Sequence, residues 1–194
     1  IDIDNATGNG LTGAVSFTTT GTGDVTFDNG TTAINLGTVS VGQNLEVQSG
    51  GAITDSGIIT VGGTASFTTD LSDKPITINS QNAISGQVTF STTGTDGDVN
   101  FDNGTTAISL GVISTGDIGG DLILQTDVAT TISNAITMNG SGGALSITVD
   151  NGNSLNVQAA LITNAGAITL SADDDVIFTA AADLTSGNGN ISVT

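Results

Sequence analysis

The sequence predicts an all-β fold built as a parallel β-solenoid, with tandem β-sandwich domains as the alternative. Three observations lead there: a residue selection suited to strands and tight turns, a rhythm of short apolar triplets, and a long internal repeat. Glu46 is the only glutamate among 19 acidic residues, and Lys74 is the only basic side chain. Thr, Val, Ile, Gly, Asn, Ser and Asp dominate the chain. β-branched residues pack well on a pleated surface, while Gly, Asn and Asp take up the backbone conformations that turns require.

The triplets come first along the chain. Val15-Ser-Phe17, Val25-Thr-Phe27, Ile34-Asn-Leu36, Leu45-Glu-Val47, Ala65-Ser-Phe67 and Ile76-Thr-Ile78 are followed by Val88-Thr-Phe90, Val99-Asn-Phe101, Ile108-Ser-Leu110 and Leu122-Ile-Leu124. The series continues through Ile136-Thr-Met138, Leu145-Ser-Ile147, Leu155-Asn-Val157, Ile168-Thr-Leu170, Val176-Ile-Phe178 and Ile191-Ser-Val193. Strand alternation puts both apolar members of a triplet on one face, and no helical period competes with it. Most of the intervening segments hold Gly, Asn, Asp, Ser or Thr. Such triplets are shorter than sandwich strands, and only six Phe supply aromatic bulk. Both facts favour a thin solenoid core over a sandwich.

The repeat lies over these triplets. Residues 15–37 read VSFTTTGTGDVTFDNGTTAINLG, and residues 88–111 read VTFSTTGTDGDVNFDNGTTAISLG. More broadly, 12–47 resembles 85–124 within one continuous segment covering 1–194. Equivalent placement of the copies predicts that their offset of 73–74 residues contains a whole number of coils. Three or four coils give roughly 18–25 residues each, and on the order of eight to ten coils in all. Phe17 then corresponds to Phe90, and Phe27 to Phe101. The expected core is Val15, Phe17, Val25, Phe27, Ile34 and Leu36 with Val88, Phe90, Val99, Phe101, Ile108 and Leu110. Asp28-Asn29-Gly30 and Asp102-Asn103-Gly104 are the expected turns, since Asn-Gly suits positive φ.

Charge narrows the partners. A formal net charge of −18 with one lysine argues against nucleic acid, whose phosphates are bound largely by Lys and Arg. It disfavours anionic membrane surfaces in the same way, and no apolar run is long enough to insert as a helix. Without cysteine the chain has neither disulfides nor thiolate metal sites. It opens at Ile1 without a signal-peptide pattern and closes on the strand-like Asn190–Thr194, which reads as a piece of something longer.

The strings VGQNLEVQSGGAITDSGIITVGGTASFTT (41–69) and AGAITLSADDDVIFTAAADLTSGNGNISVT (165–194) share one cadence: a Gly-rich turn, a short strand, a small polar turn. In this the chain resembles the repeat regions of large bacterial exoproteins, the filamentous haemagglutinin-like and autotransporter-like adhesins. The resemblance covers essentially the whole chain. It implies a right-handed parallel β-helix, secretion across an outer membrane, and a role in adhesion, biofilm or surface structure. Neither the secretion-domain signature nor the C-terminal barrel of such proteins is seen in the sequence.

Catalytic chemistry finds few residues to work with. Ser-His-Asp and Cys-His arrangements need residues the chain lacks, and Lys74 sits in Ser72-Asp73-Lys74-Pro75, outside any phosphate-binding loop. Pro75 donates no ladder hydrogen bond and marks a break in the rhythm. β-Helical lyases depend on Arg or Lys. An acid pair for glycoside hydrolysis remains open by composition, but the aspartates stand in turn contexts. Asp173-Asp174-Asp175 reads as a solvated turn, with a Ca²⁺ site as the functional alternative. Asp24, Asp98 and the aspartates of the Asp-Asn-Gly turns read likewise. Thr18-Thr19-Thr20 and Thr68-Thr69 invite an ice-binding reading, which would need a Thr-x-Thr at every coil, and their spacing is irregular. Sequons at Asn5, Asn29, Asn103, Asn139 and Asn190 are expected by chance in such a composition.

The expectation is therefore a non-catalytic structural or adhesive segment of a secreted or surface-attached bacterial fibre or stalk, without cofactor. It would self-associate end to end or continue along the same chain, and meet host or matrix surfaces. A binding module, ice-binding or Ca²⁺-dependent and carbohydrate-binding, is the alternative.

Overall fold

The computed structural model describes residues 1–4, 9–113, 117–138 and 142–194. Every strand pairing is parallel, no helix occurs among the described residues, and the strands stack as a β-solenoid of about eight turns. The chain is thus a repeat protein in structure as well as in sequence.

Three strand positions recur in each coil, and we label their faces A, B and C. Face B carries Ile34–Val41, Ile53–Asp55, Ile76–Ile78, Val99–Asp102, Leu122–Thr126, Leu145–Val149, Ile168–Ala172 and Ile191–Val193. Their first residues stack in register, Ile34 on Ile53, then Ile76, Val99, Leu122, Leu145, Ile168 and Ile191. From Ile53 onward each step is 23 residues, as the same registers show. Face A holds Val25–Asp28, Leu45–Ser49, Ala65–Thr69 and Val88–Ser91, and later Ile136–Met138, Leu161–Thr163 and Leu184–Thr185. Face C begins in the second half of Ile34–Val41 and continues through Ile59–Val61 and Ala83–Ile84. Further on it comprises Thr130–Ile132, Leu155–Val157 and Val176–Phe178. Across the faces the step between stacked residues runs from 19 (Ile34 to Ile53) to 25 (Thr130 to Leu155).

Alternation explains the core. In most triplets the two apolar members point inward and the middle residue outward, so Phe27, Phe67, Phe101, Leu45, Ile76 and Ile78 are fully buried. Each such side chain contributes about 1.5–3 kcal/mol relative to exposure. Phe17, Val25, Ile34, Leu36, Val88, Phe90, Val99, Ile108 and Leu110 are buried with them. Val15 needs correction: it is only half-buried, packing against the edge of the core, while Phe17 of the same strand is enclosed. Ile108 and Leu110 lie outside the named strands, and Leu110 joins face A through a single bridge to Val88.

Corners between faces demand close approach of successive coils. Gly120, Gly143, Gly166 and Gly189 each stand two residues before the first core residue of a face-B strand. A Cβ on Gly143 would collide with the Gly120 carbonyl, and one on Gly166 with the Gly143 carbonyl. The column is therefore closed to side chains.

The two long copies are not in equivalent places. Val15 stacks on Leu36 in the sheet of face B, whereas Val88 stacks on Ala65 in face A. Val25–Asp28 lies in face A and Val99–Asp102 in face B. Three coils carry Val25 to Leu45, Ala65 and Val88. The 74-residue offset overshoots that point and lands on Val99, one face further round. The expectation of a whole number of coils fails because the early steps are only 20 residues long (Val25 to Leu45, Leu45 to Ala65).

Candidate functional site

The polar features singled out in the sequence stand at the corners. Asp28-Asn29-Gly30 leaves face A, and Asp102-Asn103-Gly104 leaves face B. The positive φ belongs to the glycines, 60° at Gly30 and 52° at Gly104, and not to the asparagines. Asn29 and Asn103 are fully buried at these turns. Polar groups buried this way must be hydrogen-bonded, and these are. The Asn29 carboxamide donates to the carbonyls of Leu11, Thr32 and Ala33 at 2.9–3.1 Å and accepts the Leu11 N–H at 2.7 Å. Asn103 donates to the Ile84 and Ala107 carbonyls at 3.1 Å and accepts the Ile84 N–H at 2.9 Å. In each corner the preceding aspartate accepts the glycine N–H at 2.7 Å.

Asn82 is a third clamp, which the sequence reading missed. Its Oδ1 accepts from the Ile59 N–H at 2.7 Å, and its Nδ2 donates to the Ile78 carbonyl and to Asp55 at 3.0 Å. The segment Ser80-Gln81-Asn82 carries no Asn-Gly signature, so no local signal announces it. Asn29 and Asn103, being enclosed, offer no accessible sequon in the folded chain, while Asn190 is exposed. The sequons at Asn5 and Asn139 lie outside the described residues.

The aspartates tie one coil to the next. Asp24 accepts the Asn44 N–H at 2.9 Å, and Asp98 accepts the Asp121 N–H at 2.8 Å. Asp121 in turn accepts the Ala144 N–H at 2.7 Å. In Asp173-Asp174-Asp175 the first carboxylate takes the Gly152 N–H at 3.3 Å and the second the Ser154 hydroxyl at 2.8 Å. Among the described residues no group of three or more acidic side chains is placed to hold a metal ion. Two carboxyls depart from their ordinary range. The Asp96 and Thr95 N–H groups hold Asp73 below it. Burial pushes Asp102 above it; the Gly104 N–H opposes this, and the nearby Asp127, Asp150 and Asp55 charges add to it.

One concave feature lies on the outer side of face A, a cleft of about 410 Å³ lined by Asp24, Thr26, Asn44, Glu46, Thr64 and Ser66 with Val25 and Leu45. Its lining has no basic and no aromatic side chain. The carboxylate of Asp24 is already committed to Asn44.

The last three coils of face B bring hydroxyls together. Ser146 stacks on Thr169 and Ser192, and Thr148 stacks on Ser171. The Thr194 hydroxyl donates to Ser171 Oγ at 3.3 Å. The Thr runs of the sequence did not signal this array, since it draws equally on Ser and arises only from the 23-residue register.

No curated protein and no solved structure matches the chain significantly. Residues 22–91, from the corner before Val25 to the end of strand Val88–Ser91, match the family described as repeats of unknown function (DUF5649).

Proposed function

We propose that this solenoid is a non-catalytic structural segment of a secreted or surface-attached bacterial fibre or stalk, with an adhesive role. The observation that carries the reading is the unbroken face-B ladder, eight strands in register without an interrupting loop domain. A repeat β-solenoid is compatible with a structural module, because each coil buries its apolar face against its neighbours and the stack propagates in one dimension. Its acidic exterior favours solubility and hydration.

The terminal coils support association along the axis. Ile191–Val193 pairs with Ile168–Ala172 on one side only, and Ile191, Val193 and Phe178 are 46%, 44% and 42% exposed. An open strand edge with apolar side chains is a template for further coils, supplied by the same chain or by a second copy. Immunogold labelling of thin sections of source cells with antibodies against the folded chain tests the proposal. Label along surface filaments is the expected result, and label confined to the cytoplasm would overturn it.

The hydroxyl array of Ser146, Thr148, Thr169, Ser171, Ser192 and Thr194 favours a second reading, a surface that orders water or binds sugars. Thermal hysteresis and glycan binding measured on the isolated chain separate it from the first.

A further inference from the structure

We propose that Asn151 is a site of self-modification, at which the Gly152 backbone nitrogen attacks the Asn151 side chain with Asp173 assisting. Asn-Gly is the dipeptide most open to this reaction, because glycine puts no side chain in the way of its own nitrogen. The chain has six: Asn9, Asn29, Asn103, Asn139, Asn151 and Asn188 each precede glycine. The structure separates them sharply.

Asn29 and Asn103 are enclosed, with their carboxamides fixed by the hydrogen bonds given above. Asn9 donates to the Ile3 and Asp28 carbonyls at 2.8 and 2.7 Å. Asn139 lies outside the described residues. Asn188 is exposed, but the Gly189 nitrogen is held by the Ser186 carbonyl at 2.9 Å, and a Cβ on Gly189 would collide with the Gly166 carbonyl. Asn151 and Gly152 are both exposed, both have positive φ (61° and 70°), and nothing stands within 4 Å of where a Gly152 Cβ would be. The Asn151 carboxamide makes no hydrogen bond to a described residue.

The Gly152 N–H points at the Asp173 carboxylate of the next coil, 3.3 Å away. That proton must leave for the nitrogen to attack, and a carboxylate in reach of it is a general base. Attack forms the N–Cγ bond, and ammonia departs from Cγ, leaving a five-membered succinimide. Water then opens the ring. Cleavage of the N–Cγ bond gives aspartate, and cleavage at the main-chain carbonyl gives isoaspartate with an extra backbone methylene. The net change is one water consumed and one ammonia released. Either product sets a new carboxylate beside Asp150, on a corner that Asp173 already charges.

The test is incubation of the folded full-length chain at mildly alkaline pH. Fragmentation mass spectrometry then maps the mass gain, and an isoaspartate methyltransferase counts isoaspartate. Conversion should concentrate at Asn151, spare Asn29 and Asn103 until urea unfolds the chain, and slow severalfold in Asp173→Asn when folded but not when unfolded. Equal rates at Asn151 and Asn103 in the folded chain would overturn the site. An unchanged folded-state rate in Asp173→Asn would overturn the role of the carboxylate.

Discussion

The segments 15–37 and 88–111 share nearly one sequence and one local geometry, yet occupy different faces. Phe17 and Phe27 meet at 5.3 Å with a 55° tilt, and Phe90 and Phe101 at 5.4 Å with 59°. The first corners share their central hydrogen bonds. Thr19 donates to the Gly23 carbonyl and Thr92 to that of Gly97, while Gly42 and Gly119 return N–H bonds to those hydroxyls at 2.9 Å. Gln48 and Gln125, each one coil further on, both reach an aspartate, Asp70 and Asp150. In the first copy Val15 is half-buried on a strand that pairs with Ile34–Val41, and in the second Val88 is fully enclosed. The difference teaches that a repeat here specifies a way of turning from one face to the next. Which face it starts from depends on how many residues the coils between the copies use.

Truncation of the buried rings strains this equivalence most. Phe27→Ala and Phe101→Ala should each cost about 3–5 kcal/mol, and urea titrations should give matching values. A large gap between them would mean that the face, not the local turn, decides the packing. The clamps come next. Asn103→Ala strands the Ile84 N–H and carbonyl between coils and should cost about 2–3 kcal/mol. Asn29→Ala should cost less, because its partner Leu11 is 42% exposed and water can take over. Equal losses would show that the Leu11 segment is as firmly held as Ile84.

Smaller effects sharpen the comparison. The second copy has one more residue in its first corner, where Gly94, Thr95 and Asp96 are all exposed. Deleting Asp96 should change stability by less than about 1 kcal/mol, since loop length enters only logarithmically. A larger loss would assign the corner a structural task through Asp73, which holds the Thr95 and Asp96 N–H groups. The smallest effect has the opposite sign. Because Asp102 titrates above its ordinary value in the folded chain, its ionisation opposes folding. Asp102→Asn should therefore raise the melting temperature at neutral pH, only slightly because solvent screens the half-exposed carboxylate, and still accept the Gly104 N–H. That gain should shrink as pH falls through the raised Asp102 value, where the native carboxylate protonates on its own.

The solenoid was legible because alternation and glycine spacing are local. Val99-Asn-Phe101 behind Gly97 announces a strand entering from a tight corner, and the same holds for Ile168-Thr-Leu170 behind Gly166. Phase around the axis was not legible, since it depends on steps of 20 and 23 residues whose difference no motif marks. Burial of Asn29 and Asn103 was hidden for a related reason. Their bonding partners Leu11 and Ile84 are 18 and 19 residues away in the preceding coil. Val176-Ile-Phe178 looked like any other triplet, but among the described residues it stacks on Leu155–Val157 alone, and Phe178 is exposed.

The 23-residue register has a consequence for how such a stack would respond to tension. A coil adds only about 4.8 Å to the length of the stack while it stays zipped to its neighbours. Peeled away and drawn straight, its 23 residues reach roughly 75–80 Å. Each coil is thus a folded reserve of slack, released one turn at a time from an end. A segment of eight could lengthen many times over before any covalent bond felt the full pull.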